Sequence, residues 1–495
     1  MAGIQEFSQQ TVFTNPELPS DTLSSKQFNT LVEVVGEGEI EGSATASKAG
    51  LTKGTTAYNN AFKKDIFLNG TQLLLTSADN TSPAEGEFNF KDVGFEPRFG
   101  TSNQTFINGI ANIETETSVG VAVTFGNAIT RAVSNTSVNA IRVTVSFNNI
   151  QKVEDSGEIV GASAGVKIEI IQNNGTTTTP IDDTVTGRST SAYFRDYLIN
   201  LPANTSFPIN VRVSRTTADT SSPEFTAFSW SSMTEIIFKQ NAYPDTAHLA
   251  LRFSAESFPR IPKRSYRLRG IKTKIPHNAT VDIQTGRITY AGTFNGTFKT
   301  DKEWHSDPAW VLWDILTNTR YGLSVAESSL DQYTFYNQSV YNNELVDDGE
   351  GGQEARFAIN VNITQQREAF NLINDICSVM RVMPFYAAGS ISISGDRPSD
   401  PIYQFTLANV TEEGFSYSGS SLKTRHTVIN VGYFDLETRA IDYETVEDTA
   451  AIAKYGIVIK TIRSFGCTSR GQASRMGKWF LYNEQKSGES CTFRI

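Results

Sequence analysis

AIRVTVSF, residues 140–147, decides the reading of the front half of this chain. Ile141, Val143, Val145 and Phe147 alternate with Arg142, Thr144 and Ser146. A period of two places one set of side chains in a core and the other in water, as in an antiparallel sheet. The same alternation recurs at Val119, Val121, Val123 and Phe125, at Val166, Ile168 and Ile170, and at Ile209, Val211 and Val213. Turn-rich spacers such as NNGTTTTP (173–180) separate the runs. Several short alternating strands with regular turns predict a β-sandwich, fibronectin- or Ig-like, over about 90–240. Ser191–Leu198 reads as one short helix inside it, with Thr190 as cap and Phe194, Tyr197 and Leu198 on one face.

Upstream, residues 1–30 are polar, contain Pro16 and Pro19, and read as an N-terminal arm. Residues 31–89 hold the strand Leu31–Val35, the turn GEGEIEG (36–42), an Ala/Thr/Lys-rich loop over 43–64 and a tight hairpin about Asn69-Gly70. Asn-Gly suits the two positive φ angles of a type I′ turn. Residues 241–320 read as a further β domain carrying a basic strand. After residue 300 helices appear between strands, and 321–495 reads as an α+β domain. Asp307 caps a helix over Ala309–Thr317, Thr364 opens a second, Glu447–Tyr455 forms a third ended by Gly456, and Thr468 opens a fourth. Cys491, Phe493 and Ile495 alternate to the last residue, so a strand is expected there and the sequence reads as the front part of a longer protein. The fold class is therefore β-rich and multidomain, all-β in front and α+β behind.

Composition narrows the function. Of 495 residues, 31 are Phe, 17 Tyr and 5 Trp, too aromatic a chain for disorder. The net charge of −10 disfavours a general nucleic-acid binder. Cys377, Cys467 and Cys491 form no C-x-x-C pair and read as reduced thiols. Charge is blocked: residues 251–300 carry 10 basic and 2 acidic side chains, residues 301–350 carry 2 and 10. Such blocks either face water separately or meet across a contact and set its register.

Four motifs invite chemistry. GASAG (161–165) is a literal G-x-S-x-G, but a nucleophile elbow joins a strand to a helix, and here Val166, Ile168 and Ile170 continue as a strand. A hydrolase acting through Ser163 is the alternative reading. GEGEIEG departs from G-x-G-x-x-G, and Glu37, Glu39 and Glu41 would repel a phosphate. DDGEGG (347–352) offers carboxylates without an EF-hand pattern and reads as a solvated loop. Arg260, Lys263, Arg264, Arg267, Arg269, Lys272 and Lys274 form a basic stripe, either a docking surface for an acidic neighbour or a solvated strand face. No catalytic residue, metal site or cofactor is assigned.

Several stretches carry a resemblance. WSSMTEIIFKQNAYPDTAHLALRF (230–253), GTFNGTFKTDKEWHSDPAWVLWDILTNTRYGL (292–323), VDDGEGGQEARFAINVNITQQREAFNLINDICSVMRVMPF (346–385), SISISGDRPSD (390–400), LKTRHTVINVGYFD (422–435) and VEDTAAIAKYGIVIKTIRSFGCTSRGQASRMGKWFLYNE (446–484) resemble the tip attachment protein J family of lambda-like siphophages. The resemblance implies a non-enzymatic virion protein at the distal tip of the phage tail, assembled in the host cytoplasm. It implies the central hub, a homotrimer with tube-like β-barrels and an inserted sandwich. The implied partners are smaller tail-tip proteins, the C-terminus of the tape-measure protein, phage DNA passing through the channel, and a host receptor reached through C-terminal parts beyond this sequence.

Overall fold

A computed structural model of the chain describes residues 28–107, 113–239, 241–365, 367–387, 389–419, 425–486 and 489–495. Residues 1–27 of the expected arm lie outside the described residues. The chain divides into two units, 1–270 and 271–495.

The first unit is organised by a three-stranded antiparallel sheet. Its middle strand, Thr246–Ser254, lies between Phe28–Glu37 and Val93–Phe99. Leu249, Leu251 and Phe253 point from the middle strand into a core with Phe95, Tyr58, Phe62, Ile66 and Leu68. The hairpin Ile66–Leu68 to Thr71–Gln72 turns at Asn69 (φ 51°) and Gly70 (φ 85°), as its sequence requires. The segment read as a loop over 43–64 instead contains two helices, Ala44–Lys48 and Thr56–Lys63. Ser43 and Thr55 cap them by accepting from Ala46 N and Tyr58 N. Both helices are short, and buried Asn59 and Asn60 dilute the apolar signal of Tyr58, Ala61 and Phe62.

The sandwich occupies Ile113 to Ile237. One four-stranded sheet orders Thr177–Gly187, Ala162–Ile171, Ile209–Arg215 and Ile129–Val133. The other orders Tyr193–Asn200, Ala140–Phe147, Phe228–Ile237 and Ile113–Val123. The alternating side chains of 140–147 meet Val166, Ile168, Val211, Val213 and Trp230 in one continuous core. Two expectations change here. Val93–Phe99 belongs to the three-stranded sheet, not to the sandwich. The predicted helix at 191–198 is the strand Tyr193–Asn200, paired from Tyr193↔Phe147 to Asn200↔Ala140. Tyr193 and Tyr197, four apart, fit a helix face and a strand face equally, and the eight-residue ladder to 140–147 decides between them.

In the second unit, helix Pro308–Thr317 starts at its Asp307 cap as expected, and buries Trp310, Leu312, Trp313 and Leu316. Helix Gln332–Asn342, capped by Asp331, went unread because its face is polar: Gln338, Ser339 and Asn342 are its buried residues beside Phe335. The helix assigned to Thr364 begins at Ala369 and runs to Val379. Helix Thr449–Tyr455 ends at Gly456 (φ 78°). Helix Arg470–Lys486 covers one face of the three-stranded sheet Ala440–Glu447, Val428–Asp435, Ile459–Arg463, with Ala473 and Leu481 over Ile429 and Val431. Gly477 permits that approach, since a Cβ there would lie 2.7 Å from Val446 Cγ2. The closing strand Glu489–Thr492 pairs with Ser416–Gly419. Strands outnumber helices as predicted, but every sheet among the described residues is open, with two to four strands, so the tube-like barrels do not appear there.

Candidate functional site

The basic stripe spends much of its charge inside the chain. Arg260 and Lys263 are exposed. Arg264 Nε donates to Glu33 Oε1 at 2.7 Å, and the Tyr266 hydroxyl donates to the same carboxylate. Burial alone would raise the Glu33 pKa. The hydrogen bonds from Arg264 and Tyr266 and the charge of Arg264 outweigh it and hold the carboxyl below its usual range. Arg267 Nε donates to Asp65 Oδ1 at 2.8 Å, and its Nη2 to Thr45 Oγ1 at 3.0 Å. The Asp65 side chain is 0% exposed and also accepts from Ser43 Oγ at 2.5 Å, Thr45 N at 2.7 Å and Thr45 Oγ1 at 2.7 Å. Arg269 is buried and donates to Ser47 Oγ at 2.8 Å, which donates in turn to Glu41. In the second unit Lys272 is half-buried, and Lys274 Nζ meets Glu327 Oε1 at 2.5 Å. The acidic partners of Arg264 and Arg267 stand some two hundred residues upstream, so no local pattern could name them. Tyr266 and Leu268, half-buried, pack against the core of the first unit.

GASAG is not a nucleophile elbow. Ser163 lies within the strand Ala162–Ile171, opposite Thr186, and its Oγ is 2.9 Å from Thr186 Oγ1 rather than from a histidine. The neighbouring glycine answers to packing: a Cβ on Gly165 would sit 1.9 Å from Thr216 Oγ1. The strand–turn–helix strain that exposes a catalytic serine is absent from this segment. DDGEGG closes the hairpin Leu345–Asp347 to Gln353–Ala355. Asp348 Oδ1 accepts from Glu350 N at 2.8 Å and Gly352 N at 3.0 Å, which holds its carboxyl below the usual range. Among the described residues no group of His, Cys, Asp and Glu has the arrangement of a metal site.

The second unit contains one dense buried polar network. Asp307 accepts from Ala309 N at 2.8 Å, Asn342 Nδ2 at 3.0 Å, Asn343 Nδ2 at 2.6 Å and the Ser339 hydroxyl. Burial still pushes its pKa upward against these donors. His305 Nδ1 accepts from Asp307 N at 3.1 Å, which leaves the ring proton on Nε2 to reach Thr273 Oγ1 at 2.6 Å. Burial lowers the His305 pKa to about 3, so the ring is neutral. These bonds satisfy one another and tie helices Pro308–Thr317 and Gln332–Asn342 together. They form a structural joint in which the Ser339 hydroxyl and the Asp307 carboxylate are both buried.

The sequence comparisons complete this picture. Residues 368–495, which include the sheet under helix Arg470–Lys486, match a putative phage tail protein family. Residues 113–239, the sandwich, match the FNIII-A domain of tip attachment protein J. The chain belongs to the tip attachment protein J family. It is 34% identical over 429 residues to tip attachment protein J of Escherichia phage SECphi27, across 86% of this chain and 35% of that protein. It is 31% identical over 487 residues to the protein of the same name from Escherichia phage SECphi4, across 97% and 40%. The chain thus spans well under half the length of these curated relatives. Among solved structures, the VP2 subviral particle of infectious bursal disease virus aligns over 51% of this chain and 82% of its own, at 12% identity and a TM-score of 0.18, too low to bear on the fold.

Proposed function

We propose that this chain is the hub portion of the phage's distal tail tip, working as a homotrimer on the tail axis. It joins the tail tube to the receptor-binding apparatus and encloses the path taken by the tape-measure protein and DNA during ejection. The observation that supports this reading most is the likeness to two tip attachment proteins across nearly the whole chain. Three copies would carry a net charge of −30, the sign that lets DNA slide past a wall rather than adhere. Smaller tail-tip proteins and the C-terminus of the tape-measure protein are the proposed neighbours. Contact with the host receptor is proposed for parts of the protein beyond this sequence. The docking role of the basic stripe falls first to Arg260 and Lys263, which are exposed, since Arg264, Arg267 and Arg269 serve contacts within the unit.

Electron microscopy of the intact particle tests the proposal. Threefold density for this chain at the far end of the tail is expected. A monomeric copy, a position along the tail shaft, or a pore lined by Arg and Lys would overturn it.

A further inference from the structure

The sandwich is an insertion, and its root is closed by one side chain. The chain leaves the three-stranded sheet at Phe99 and returns at Ala247, which are register partners. Between these points the outgoing and returning segments meet around Gln104. Gln104 Oε1 accepts from Gly100 N at 2.9 Å. Its Nε2 lies within hydrogen-bond distance of three returning carbonyls, Ala242 O at 2.9 Å, Tyr243 O at 2.6 Å and Thr246 O at 3.0 Å. The returning segment is held in an unfavourable shape, with Tyr243 at φ 46° and Asp245 at φ 57°. Non-glycine residues in that region each cost about 1 kcal/mol or more and persist only where their surroundings enforce them.

Two further contacts converge on the same place. The GEGEIEG turn reaches it through Gly38, whose N–H donates to Asp245 O at 2.7 Å. Gly100 (φ 80°) lies so near that a Cβ on it would be 2.1 Å from Gly38 O. Arg98 grips the outgoing segment from the other side, with Nε to Thr105 O and Nη2 to Phe106 O, both at 2.6 Å, while Glu96 neutralises it at 2.8 Å. In GEGEIEG, Gly38 (φ 115°) takes a backbone conformation that favours glycine, and Gly42 leaves room for Tyr58 and Phe99, which a Cβ would approach to 2.5 and 2.7 Å.

We propose that Gln104 is the positioning residue of the inserted FNIII-A domain: its amide locks the outgoing and returning segments together, so that the sandwich is presented at one fixed angle to the sheet that carries it. Its two amide hydrogens are shared among the three returning carbonyls. Without Gln104 the carbonyls of Ala242, Tyr243 and Thr246 lose their shared amide donor, and the domain swivels on its two connections while remaining folded.

The test is a distance distribution in the full chain. Spin labels are placed at Thr30→Cys on the sheet and Thr178→Cys on the sandwich, both exposed, in a Cys491→Ser background; Cys377 and Cys467 are buried. The parent gives one narrow distribution. Q104A broadens it by about a factor of two or more, as does Q104E, which keeps the acceptor for Gly100 N–H but lacks the amide donors. The emission of Trp230, the tryptophan of the sandwich core, and the melting of the sandwich stay unchanged. A narrow distribution in Q104A overturns the proposal. A lowered sandwich melting temperature in Q104A also overturns it, by assigning Gln104 to the domain's own stability.

Discussion

Replacing Arg267 and Asp65 one at a time separates a contact made within the chain from one kept for another subunit. Arg267 stands half in water and presents one charge-assisted bond at 2.8 Å to a carboxylate that is wholly buried. A fully buried bond of this kind contributes about 1.5–3 kcal/mol, and solvent screening of the guanidinium lowers that to about 1–2 kcal/mol for Arg267→Ala. Asp65 keeps its other three donors in that variant, so it is not left unpaired. Asp65→Ala is different. It strands the Ser43 hydroxyl, which is 0% exposed, and both Thr45 donors, together with the cation, for about 3–5 kcal/mol. Asp65→Asn falls between the two, since it keeps the volume and one acceptor oxygen. Hydrogen exchange of peptides covering 40–68 and 262–271 reads these costs locally. Each 1.4 kcal/mol is about a tenfold rise in exchange where opening is fast. The expected order is Arg267→Ala, then Asp65→Asn, then Asp65→Ala. Equal effects for the two alanine variants would refute the reasoning. So would Arg267→Ala leaving exchange untouched while tails fail to assemble, because the arginine would then be working on a neighbouring subunit.

Three other outcomes are expected. The folded pKa of His305 is depressed to about 3, so its neutral ring is favoured in the native state and protonation favours unfolding. Stability of the second unit is fully present above the ordinary histidine pKa and falls below it by about 1.4 kcal/mol per pH unit. The raised pKa of Asp307 acts in the opposite sense, so the signature is the difference in acid slope between the parent and His305→Asn, and identical slopes would exclude His305 as its source. Ser163→Ala removes a single hydroxyl contact, to Thr186, and shifts the melting temperature by no more than about 1 kcal/mol of stability, with infectivity intact. Loss of an envelope-degrading activity in that variant would restore the hydrolase alternative. A thiol reagent modifies one cysteine in the native chain, the exposed Cys491, and all three after unfolding; burial raises the Cys377 thiol pKa to about 12.

The sandwich was legible because each of its strands states its own phase: Ile141, Val143, Val145 and Phe147 are all buried, and their intervening neighbours less so. The Asn69-Gly70 turn and the Asp307 cap were legible because their chemistry is local. What escaped was decided at a distance. Tyr193–Asn200 becomes a strand only through its ladder to 140–147. Helix Gln332–Asn342 turns a polar face inward because Asn342 and Ser339 serve Asp307, a requirement that no apolar period reveals. The basic stripe was visible as charge, but its meaning depended on Glu33 and Asp65, which nothing near Arg264 announces. The glycines at 38 and 42 were recognised as turn formers, while Tyr58 and Phe99, the neighbours that crowd Gly42, required the fold.

The register between Phe99 and Ala247 has an evolutionary implication. An antiparallel ladder whose last pair already stands face to face needs only a short loop to be complete. A whole domain spliced into that loop leaves the pairing of the ladder beneath it unchanged. The position is a natural socket, where a genome can lengthen, swap or discard a surface module while the scaffold goes on folding as before, and phage lineages that differ in this cassette are expected to share the flanking strands.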